Sequence, residues 1–175
     1  MITKDNNLKV MEVFFKNPGK SFHIRELARI TGLSTTGITK IIKKLKKEGL
    51  LISKKEKITE EVKPNFDDNF YLIKKLYNFY SLYKNGLINH LKNFYEEPQA
   101  IILFGSYSKG LDTEKSDIDL CVLTTKKETP NLINFEKKLN RKINIINSNV
   151  ENMKKEFKNS LINGIVLEGY IELIK

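Results

Sequence analysis

The chain has 175 residues and a net charge of +10, with 31 lysine and arginine residues against 21 aspartate and glutamate residues. This length suffices for one ordinary domain or two small ones whose cores need no disulfide. The N-terminal sequence has no apolar signal-peptide core, and no segment approaches the roughly 18 apolar residues of a membrane span. The single cysteine, Cys121, lies in an apolar run. We therefore expect a protein of the reducing cytoplasm that does not enter membranes.

The positive charge is concentrated at the N-terminal end. Basic minus acidic residues give 15 − 7 = +8 over residues 1–65, 4 − 4 = 0 over 66–98 and 12 − 10 = +2 over 99–175. Because 28 of the 31 basic residues are lysine, an A/T-rich coding bias would also raise the total, so the distribution is the better guide. The charge distribution is consistent with three predicted segments, residues 1–65, 66–98 and 99–175.

The first segment predicts three short helices. The apolar spacing of residues 7–16 indicates a helix with Leu8, Met11 and Phe14 on its apolar face, which Asn17-Pro18-Gly19 ends. A second helix precedes the turn at Thr31-Gly32, and Ser34 is a natural cap for a third that reaches Gly49. Two helices joined by a short turn containing glycine follow the helix-turn-helix plan.

The third helix carries the residues expected to contact DNA. Its outward positions hold hydroxyl groups near the N-terminal end and ammonium groups beyond them: Thr35, Thr36, Thr39, Lys40, Lys43, Lys44 and Lys47. Two short strands with a charged tip follow, as in a β-wing. The arrangement resembles the winged helix-turn-helix domains of bacterial and archaeal regulators, which implies binding of duplex DNA through residues 20–65. A three-helix bundle with a solvated lysine face is the alternative.

Residues 66–98 predict a helical linker. Helical spacing places six apolar residues on one side, and Gly86 marks a bend or break: Leu72, Leu76, Phe79, Tyr83, Leu87 and Leu91. So broad an apolar surface predicts packing against the C-terminal domain and against a second copy of the chain. A homodimer is therefore the expected assembly. The aromatic side chains suit a core or interface better than base stacking, because basic residues are not interleaved with them.

The segment AIILFGSYSKG predicts a phosphate-binding turn. A buried strand, residues 100–104, leads into Gly105 and then into a short helix. Backbone amides at such a turn point toward a ligand at the positive end of the helix dipole. Ser106 adds a hydroxyl group, and Lys109 adds a mobile positive charge.

The segment SDIDLCVL predicts paired carboxylates. Asp117 and Asp119 are two residues apart on a predicted strand, so both point to one face. A pair of this kind can hold one or two Mg²⁺ ions and so neutralise a triphosphate. Taken alone, the two aspartates fit a charged strand end better than a metal site, and the preceding strand-GS-helix element is what favours the metal site.

The order GS, short helix and D-x-D on the next strand resembles the nucleotidyltransferases of the DNA polymerase beta superfamily, and most nearly the minimal nucleotidyltransferases. The resemblance is strong over residues 99–124 and looser over 125–175. It implies that Gly105 and Ser106 bind nucleotide phosphates and that Asp117 and Asp119 bind catalytic Mg²⁺. An NTP, with ATP expected, would be the substrate. The predicted fold is α+β: an N-terminal winged helix-turn-helix, a helical linker and a C-terminal nucleotidyltransferase domain, residues 99–175, on a small mixed sheet.

The sequence departs from that pattern at the third carboxylate. Active relatives carry an acid on a later strand, and here the predicted strand RKINIIN presents Asn144, an amide that carries no charge and cannot serve as a base. Glu151 or Glu136 are candidates to replace the missing acid from displaced positions. Three functions follow: nucleotide transfer to an acceptor hydroxyl, nucleotide sensing by a DNA-binding regulator without transfer, or an antitoxin-like role with a small helical toxin as protein partner.

Overall fold

The structure, a computed structural model, describes residues 5–56, 59–149 and 153–172. The chain divides into two compact units, Met1–Lys74 and Lys75–Lys175. Helices and two small sheets confirm the predicted α+β class. The functional division at residues 65 and 98 stays a prediction, and the structure places residues 75–98 in the same compact unit as the following residues. Among the described residues, no helix has the length and apolar character needed to cross a bilayer.

The N-terminal unit is a winged helix-turn-helix, as predicted. Its elements in chain order are α1 (Asn6–Lys16), β1 (Phe22–His23), α2 (Ile24–Thr31), α3 (Thr35–Lys47), β2 (Leu51–Glu56) and β3 (Thr59–Pro64). The strands form an antiparallel sheet in the order β1-β3-β2. The two-residue strand β1 was not predicted, because so short a strand carries no alternating pattern. It forms because Phe22 pairs with Val62 of the wing.

Local chemistry sets the helix ends of this unit. The Asp5 side chain accepts a hydrogen bond from the backbone N–H of Asn7, and that of Ser34 accepts one from Gly37. Gly32 ends α2 in the left-handed conformation, with φ 68°. The core includes Phe14, whose ring meets that of Phe22 edge to face at 5.5 Å. The prediction for Leu8 is partly wrong, since it is only half-buried while its neighbour Val10 is fully buried.

The predicted middle helix is divided in two. Helix α4 (Asp68–Lys84) ends before Gly86, which adopts φ +78° and precedes α5 (Leu87–Tyr95), so the predicted break is confirmed. The expected cover of the apolar side is confirmed in α5, where Leu87 and Leu91 are fully buried in a cluster with Ile101 and Leu120. On the apolar side of α4 the rest of the chain gives only partial cover. The side chains of that side keep between 36% and 56% of their surface exposed: Leu72, Leu76, Phe79 and Tyr83. Helical spacing alone does not tell which apolar side the core covers.

The C-terminal unit is built on a small mixed sheet, as predicted, and this sheet has four strands. Its remaining elements are β4 (Ala100–Phe104), α6 (Gly105–Lys109), β5 (Ile118–Leu123), α7 (Ile133–Leu139), β6 (Ile143–Ser148), α8 (Lys155–Ile162) and β7 (Ile165–Gly169). The strand order is β6-β5-β4-β7, with β4 antiparallel to both of its neighbours and β5 parallel to β6. Helix α8 was not predicted.

Alternating side chains of the central strands enter two separate apolar clusters. One holds Ile101 and Leu103 together with buried side chains of α5, and the other holds Ile102, Cys121 and Leu161. Both central strands are therefore apolar almost throughout, and polar side chains appear where β4 ends and β5 and β6 begin. The predicted site residues lie at that edge of the sheet.

Candidate functional site

The turn from β4 into α6 depends on Gly105. Its φ of +74° lies in the left-handed region, which L side chains rarely adopt. A Cβ atom at this position would stand 2.5 Å from Oδ2 of Asp119, so a side chain here would displace that carboxylate in addition to straining the backbone. The glycine thus allows the predicted phosphate-binding turn and the carboxylate to approach each other closely.

The groups predicted to bind phosphate lie on α6. Ser106 follows Gly105 and is half-buried, and its hydroxyl group makes no hydrogen bond to any described residue. Lys109 ends the helix and is exposed. The next turn of α6 is anchored, since Ser108 Oγ donates to the carbonyl of Gly105 at 2.8 Å. The two predicted phosphate ligands are therefore available at the surface of an anchored turn.

The two carboxylates come together with Asn144 through strand register. Asp119 pairs with Phe104 of β4 on one side and with Asn144 of β6 on the other, and Asp117 directly precedes β5. Asn144 Nδ2 donates to Asp117 Oδ2 at 3.1 Å and to Asp119 Oδ1 at 3.2 Å. The prediction that Asn144 is the residue which β6 presents to the aspartates is confirmed.

This donor set suits a magnesium ion with two protein carboxylates. Within the described residues, no three His, Cys, Asp or Glu side chains group together as a metal site. Mg²⁺ binds through one or two carboxylates plus substrate phosphates, so Asp117 and Asp119 meet its needs. An amide nitrogen is not a metal ligand, and Asn144 has to rotate to present its oxygen instead. The amide therefore supplies hydrogen bonds to the two carboxylates when no metal is bound. It competes with a metal ion for the same carboxylate oxygens.

The two alternative acids differ in how they are placed. Oε1 of Glu136 accepts a hydrogen bond from the backbone N–H of Ile143 at 3.0 Å, so this carboxylate is engaged at the start of β6. It also lines a cleft of about 690 Å³ that reaches Asp117, and a neighbouring one of about 480 Å³ that reaches Asn144. Glu151 lies outside the described residues. Neither acid is shown to replace the third carboxylate.

A buried polar network behind the turn was not predicted. Asn78 of α4 donates to the carbonyl of Tyr107 at 3.0 Å and to Asp112 Oδ1 at 2.7 Å. Asp112 faces Arg141 at 3.6 Å, with side chains only 1% and 3% exposed. The hydroxyl group of Tyr107 lies 3.0 Å from Ser81 Oγ, and burial raises the pKa of Tyr107 to about 12.

The network ties together the elements that carry the site. Helix α6 bears Ser106, Asp112 follows that helix, and Arg141 precedes β6, which bears Asn144. One sequence signal pointed here: Arg141 is one of three arginines in a chain with 28 lysines. Arginine is preferred over lysine for buried ion pairs because its planar group makes several fixed hydrogen bonds.

The predicted DNA-contacting residues of α3 share one exposed face. Ile38, Ile42 and Leu45 are buried on the opposite side, and Ile41 is half-buried. The exposed positions are those predicted: Thr35, Thr36, Thr39, Lys40, Lys43, Lys44 and Lys47. Two are engaged locally, because Thr39 Oγ1 donates to the carbonyl of Thr35 and Lys44 lies 3.8 Å from Glu48.

The wing is fastened to α3 by Lys46. Its ammonium group lies 3.0 Å from Oε1 of Glu60 on β3 and also donates to Ser53 on β2. Lys46 is therefore committed to the fold, while Lys40 and Lys43 make no ion pair with any described residue. These two lysines, like Lys47, are available for phosphate contacts.

Comparison with known proteins supports both halves of this description. The profile of the winged helix-turn-helix DNA-binding family matches residues 4–52, and that of the polymerase beta nucleotidyltransferase family matches residues 85–170. No curated protein matches the chain significantly.

Among solved structures, the adhesin competence repressor of Streptococcus pyogenes aligns with a TM-score of 0.40 and 16% identity. The alignment covers 51% of this chain and 66% of the repressor, so about a third of the repressor has no counterpart here. From the family matches, the chain joins a winged helix-turn-helix DNA-binding domain to a nucleotidyltransferase domain of the polymerase beta superfamily.

Proposed function

We propose that the C-terminal domain transfers a nucleoside monophosphate from an NTP, with ATP the expected donor, to an acceptor hydroxyl group. The winged helix would hold the protein on duplex DNA in the cytoplasm, where the buried Cys121 stays reduced. The observation that carries the proposal is that Asp117 and Asp119 both contact Asn144, and that Asp119 also lies beside Gly105 where β4 ends. Paired carboxylates next to a glycine turn suit the binding of a metal-bound triphosphate.

Each part of the site would have a separate task. Ser106, Lys109 and the backbone N–H groups of α6 would bind the phosphates, and Asp117 and Asp119 would hold Mg²⁺, which would supply positive charge against the phosphates. A bond forms between the acceptor oxygen and the α-phosphorus while the bond to pyrophosphate breaks. Asn144 accepts no proton, so the acceptor's proton passes to an aspartate or to solvent. We therefore expect slow transfer.

Calorimetric titration of the full chain with each NTP plus Mg²⁺ tests the proposal. The matched variant carries Asp117→Asn and Asp119→Asn, which keep the side-chain size but remove both negative charges. We expect binding by the native chain and none by the double variant. Equal binding by the two proteins, or no binding to the native chain at millimolar nucleotide, would contradict a metal-nucleotide site here.

A nucleotide-sensing regulator without transfer is the second candidate function, and the position of Asn144 favours it. The amide occupies the register position opposite Asp119 and donates to both carboxylates. The change Asn144→Asp separates the two candidates, with Asn134→Asp on exposed α7 as the control for added charge. Transfer that appears or rises with Asn144→Asp alone indicates that the native site is impaired. Transfer that is already present and unchanged supports the enzyme.

A further inference from the structure

We propose that the cleft beside Asp117 receives an acceptor that carries phosphate groups. The proposal rests on the proposed transferase function, because it names the class of molecule whose hydroxyl group would be modified. The cleft has a volume of about 690 Å³, enough for a nucleotide-sized group. It is formed by the segment before β5 and by the segment from α7 into β6.

The cleft reaches the reacting groups through Asp117. This residue lines it and is also one of the two carboxylates that face Asn144. Gly105 and Ser106 are not among the described residues that line the cleft, although they lie at the predicted triphosphate turn. A molecule in the cleft therefore approaches the carboxylates without occupying that turn, as an acceptor has to.

The charged groups of the cleft that remain available to a ligand are positive. Lys115, Lys137 and Lys142 line it with exposed side chains, and their ammonium groups form no ion pair with any described residue. Arg141 adds a guanidinium group that is buried against Asp112 and so held in place.

The acidic groups of the cleft are engaged. Glu136 accepts from the amide of Ile143, Asp117 accepts from Asn144, and Glu114 also interacts within the fold. The lining thus holds four cationic groups against three carboxylates, and one of those carboxylates is assigned to the metal. A polycationic acceptor would meet repulsion from the lysines, whereas phosphate groups would pair with them.

Residue-resolved acetylation of lysine tests this site in the full chain. The labelling rates of Lys115, Lys137 and Lys142 are measured by mass spectrometry with and without a single-stranded pentanucleotide that has a free 3′-hydroxyl group. A second sample contains ribose 5-phosphate. Three other exposed lysines of the same unit, Lys127, Lys154 and Lys155, serve as controls for non-specific attraction.

We expect the rates of the three cleft lysines to fall several-fold with the oligonucleotide, while those of the control lysines stay nearly unchanged. Protection by ribose 5-phosphate as well would identify a single phosphate group as sufficient, and protection by the oligonucleotide alone would identify a nucleic-acid end. Equal protection of all six lysines, or of none, overturns the proposal.

A variant provides a second measurement. Lys115, Lys137 and Lys142 are changed to alanine in a chain that also carries Lys40→Ala and Lys43→Ala, which weakens the expected DNA site. The salt dependence of oligonucleotide binding should then fall by about 0.7 in logarithmic slope for each lost phosphate contact. The same changes at Lys127, Lys154 and Lys155 should leave that slope unchanged, and an equal decrease in both sets would overturn the assignment.

The nucleotide's own triphosphate is the competing occupant. Protection of the cleft lysines by NTP and Mg²⁺ that disappears in the Asp117→Asn, Asp119→Asn variant would overturn the acceptor assignment. Failure of the two proposals can be distinguished. Calorimetric NTP binding without oligonucleotide protection overturns the acceptor site alone. Protection without NTP binding overturns the transferase, and with it the acceptor role.

Discussion

The lysine face of α3 and the paired aspartates of the C-terminal unit both bring like charges together, but in different surroundings. Lys40 and Lys43 stand on the outer side of a helix whose inner side is buried, and each points into solvent. Asp117 and Asp119 are held by two neighbouring strands, a glycine turn and the amide of Asn144. The first site needs a stable helix, whereas the second needs strand register and close packing.

This difference predicts how the two sites respond to change. A helix surface binds phosphates by the sum of several mobile charges, so each lysine contributes a limited and separable amount. The carboxylate site has no such redundancy. A shift of one strand, or a methyl group added at Gly105, would move the Asp119 carboxylate from its position. Changes far from the aspartates, but within their supports, should therefore affect the second site more than the first.

The largest effect is expected for Asp112→Ala. The variant removes the carboxylate that faces the buried guanidinium group of Arg141, and breaking a buried ion pair in this way costs about 3–5 kcal/mol in the free energy of unfolding. Urea unfolding measures the change, and Glu128→Ala on the surface of the same unit is the control. A loss below about 1 kcal/mol, as expected of an exposed pair, would show that the network does not hold the site together.

A smaller effect is expected for Lys40→Ala with Lys43→Ala. Each phosphate contact contributes about 0.9 to the logarithmic salt slope, so losing two should lower it by about 1.8 and weaken duplex binding about sixtyfold at 0.1 M salt. Fluorescence anisotropy at several salt concentrations measures this. The control, Lys75→Ala with Lys154→Ala, removes the same charge from the other unit. An unchanged slope in the α3 variant would show that this helix does not contact the DNA backbone.

Comparing Gly105→Ala with Gly86→Ala separates the effect of backbone strain from that of the close approach between Gly105 and Asp119. A left-handed alanine costs about 1–2 kcal/mol of stability, and the new Cβ also displaces the carboxylate. Gly86→Ala is a matched control, because its φ is similar but no heavy atom lies within 4 Å of an added Cβ. Both variants should lose comparable stability, and only Gly105→Ala should weaken nucleotide binding, by about tenfold or more. Equal nucleotide affinities would remove the glycine turn from the proposed site.

The smallest effect at neutral pH is expected for Tyr107→Phe. The lost hydrogen bond is worth about 1 kcal/mol, and Ser81 Oγ keeps its bond to the carbonyl of Asn78. Burial raises the pKa of Tyr107 from 10.0 to about 12, so the folded chain holds this proton more tightly than the unfolded chain does. Its contribution to stability is complete below pH 10 and is lost as the pH rises toward 12.

The variant should therefore lose less stability than the native chain between pH 10 and 12. Unfolding measured across that range gives the comparison, and the other titrating groups cancel because both proteins contain them. Parallel pH profiles for the two proteins would mean that the Tyr107 hydroxyl group is accessible to solvent in the folded chain.

Local patterns were sufficient for much of this protein. The cap at Ser34, the turn at Gly32 and the spacing of Ile38, Ile42 and Leu45 define α3 and leave its lysine face outward, and the structure agrees. The spacing of Asp117 and Asp119 and the alternation around Asn144 likewise indicated that these side chains share one face. In each case the determining interactions join residues close in sequence.

Other features required the tertiary structure. Asn78 contacts Tyr107 and Asp112, which lie 29 and 34 positions later in the chain. No local periodicity relates residues so far apart. The same holds for the apolar side of α4, where the sequence marks Leu76 as apolar but does not determine that it remains exposed.

The sequence by itself determined the two domain families, the helix faces and the identity of the site's polar groups, because those follow from local periodicity, capping and motif spacing. The tertiary structure alone decided which polar atoms meet: that the Asn144 amide donates to both aspartates, that Asp119 packs against Gly105, and that Asp112 pairs with Arg141. These contacts depend on strand register and burial, which residues distant in the chain fix together.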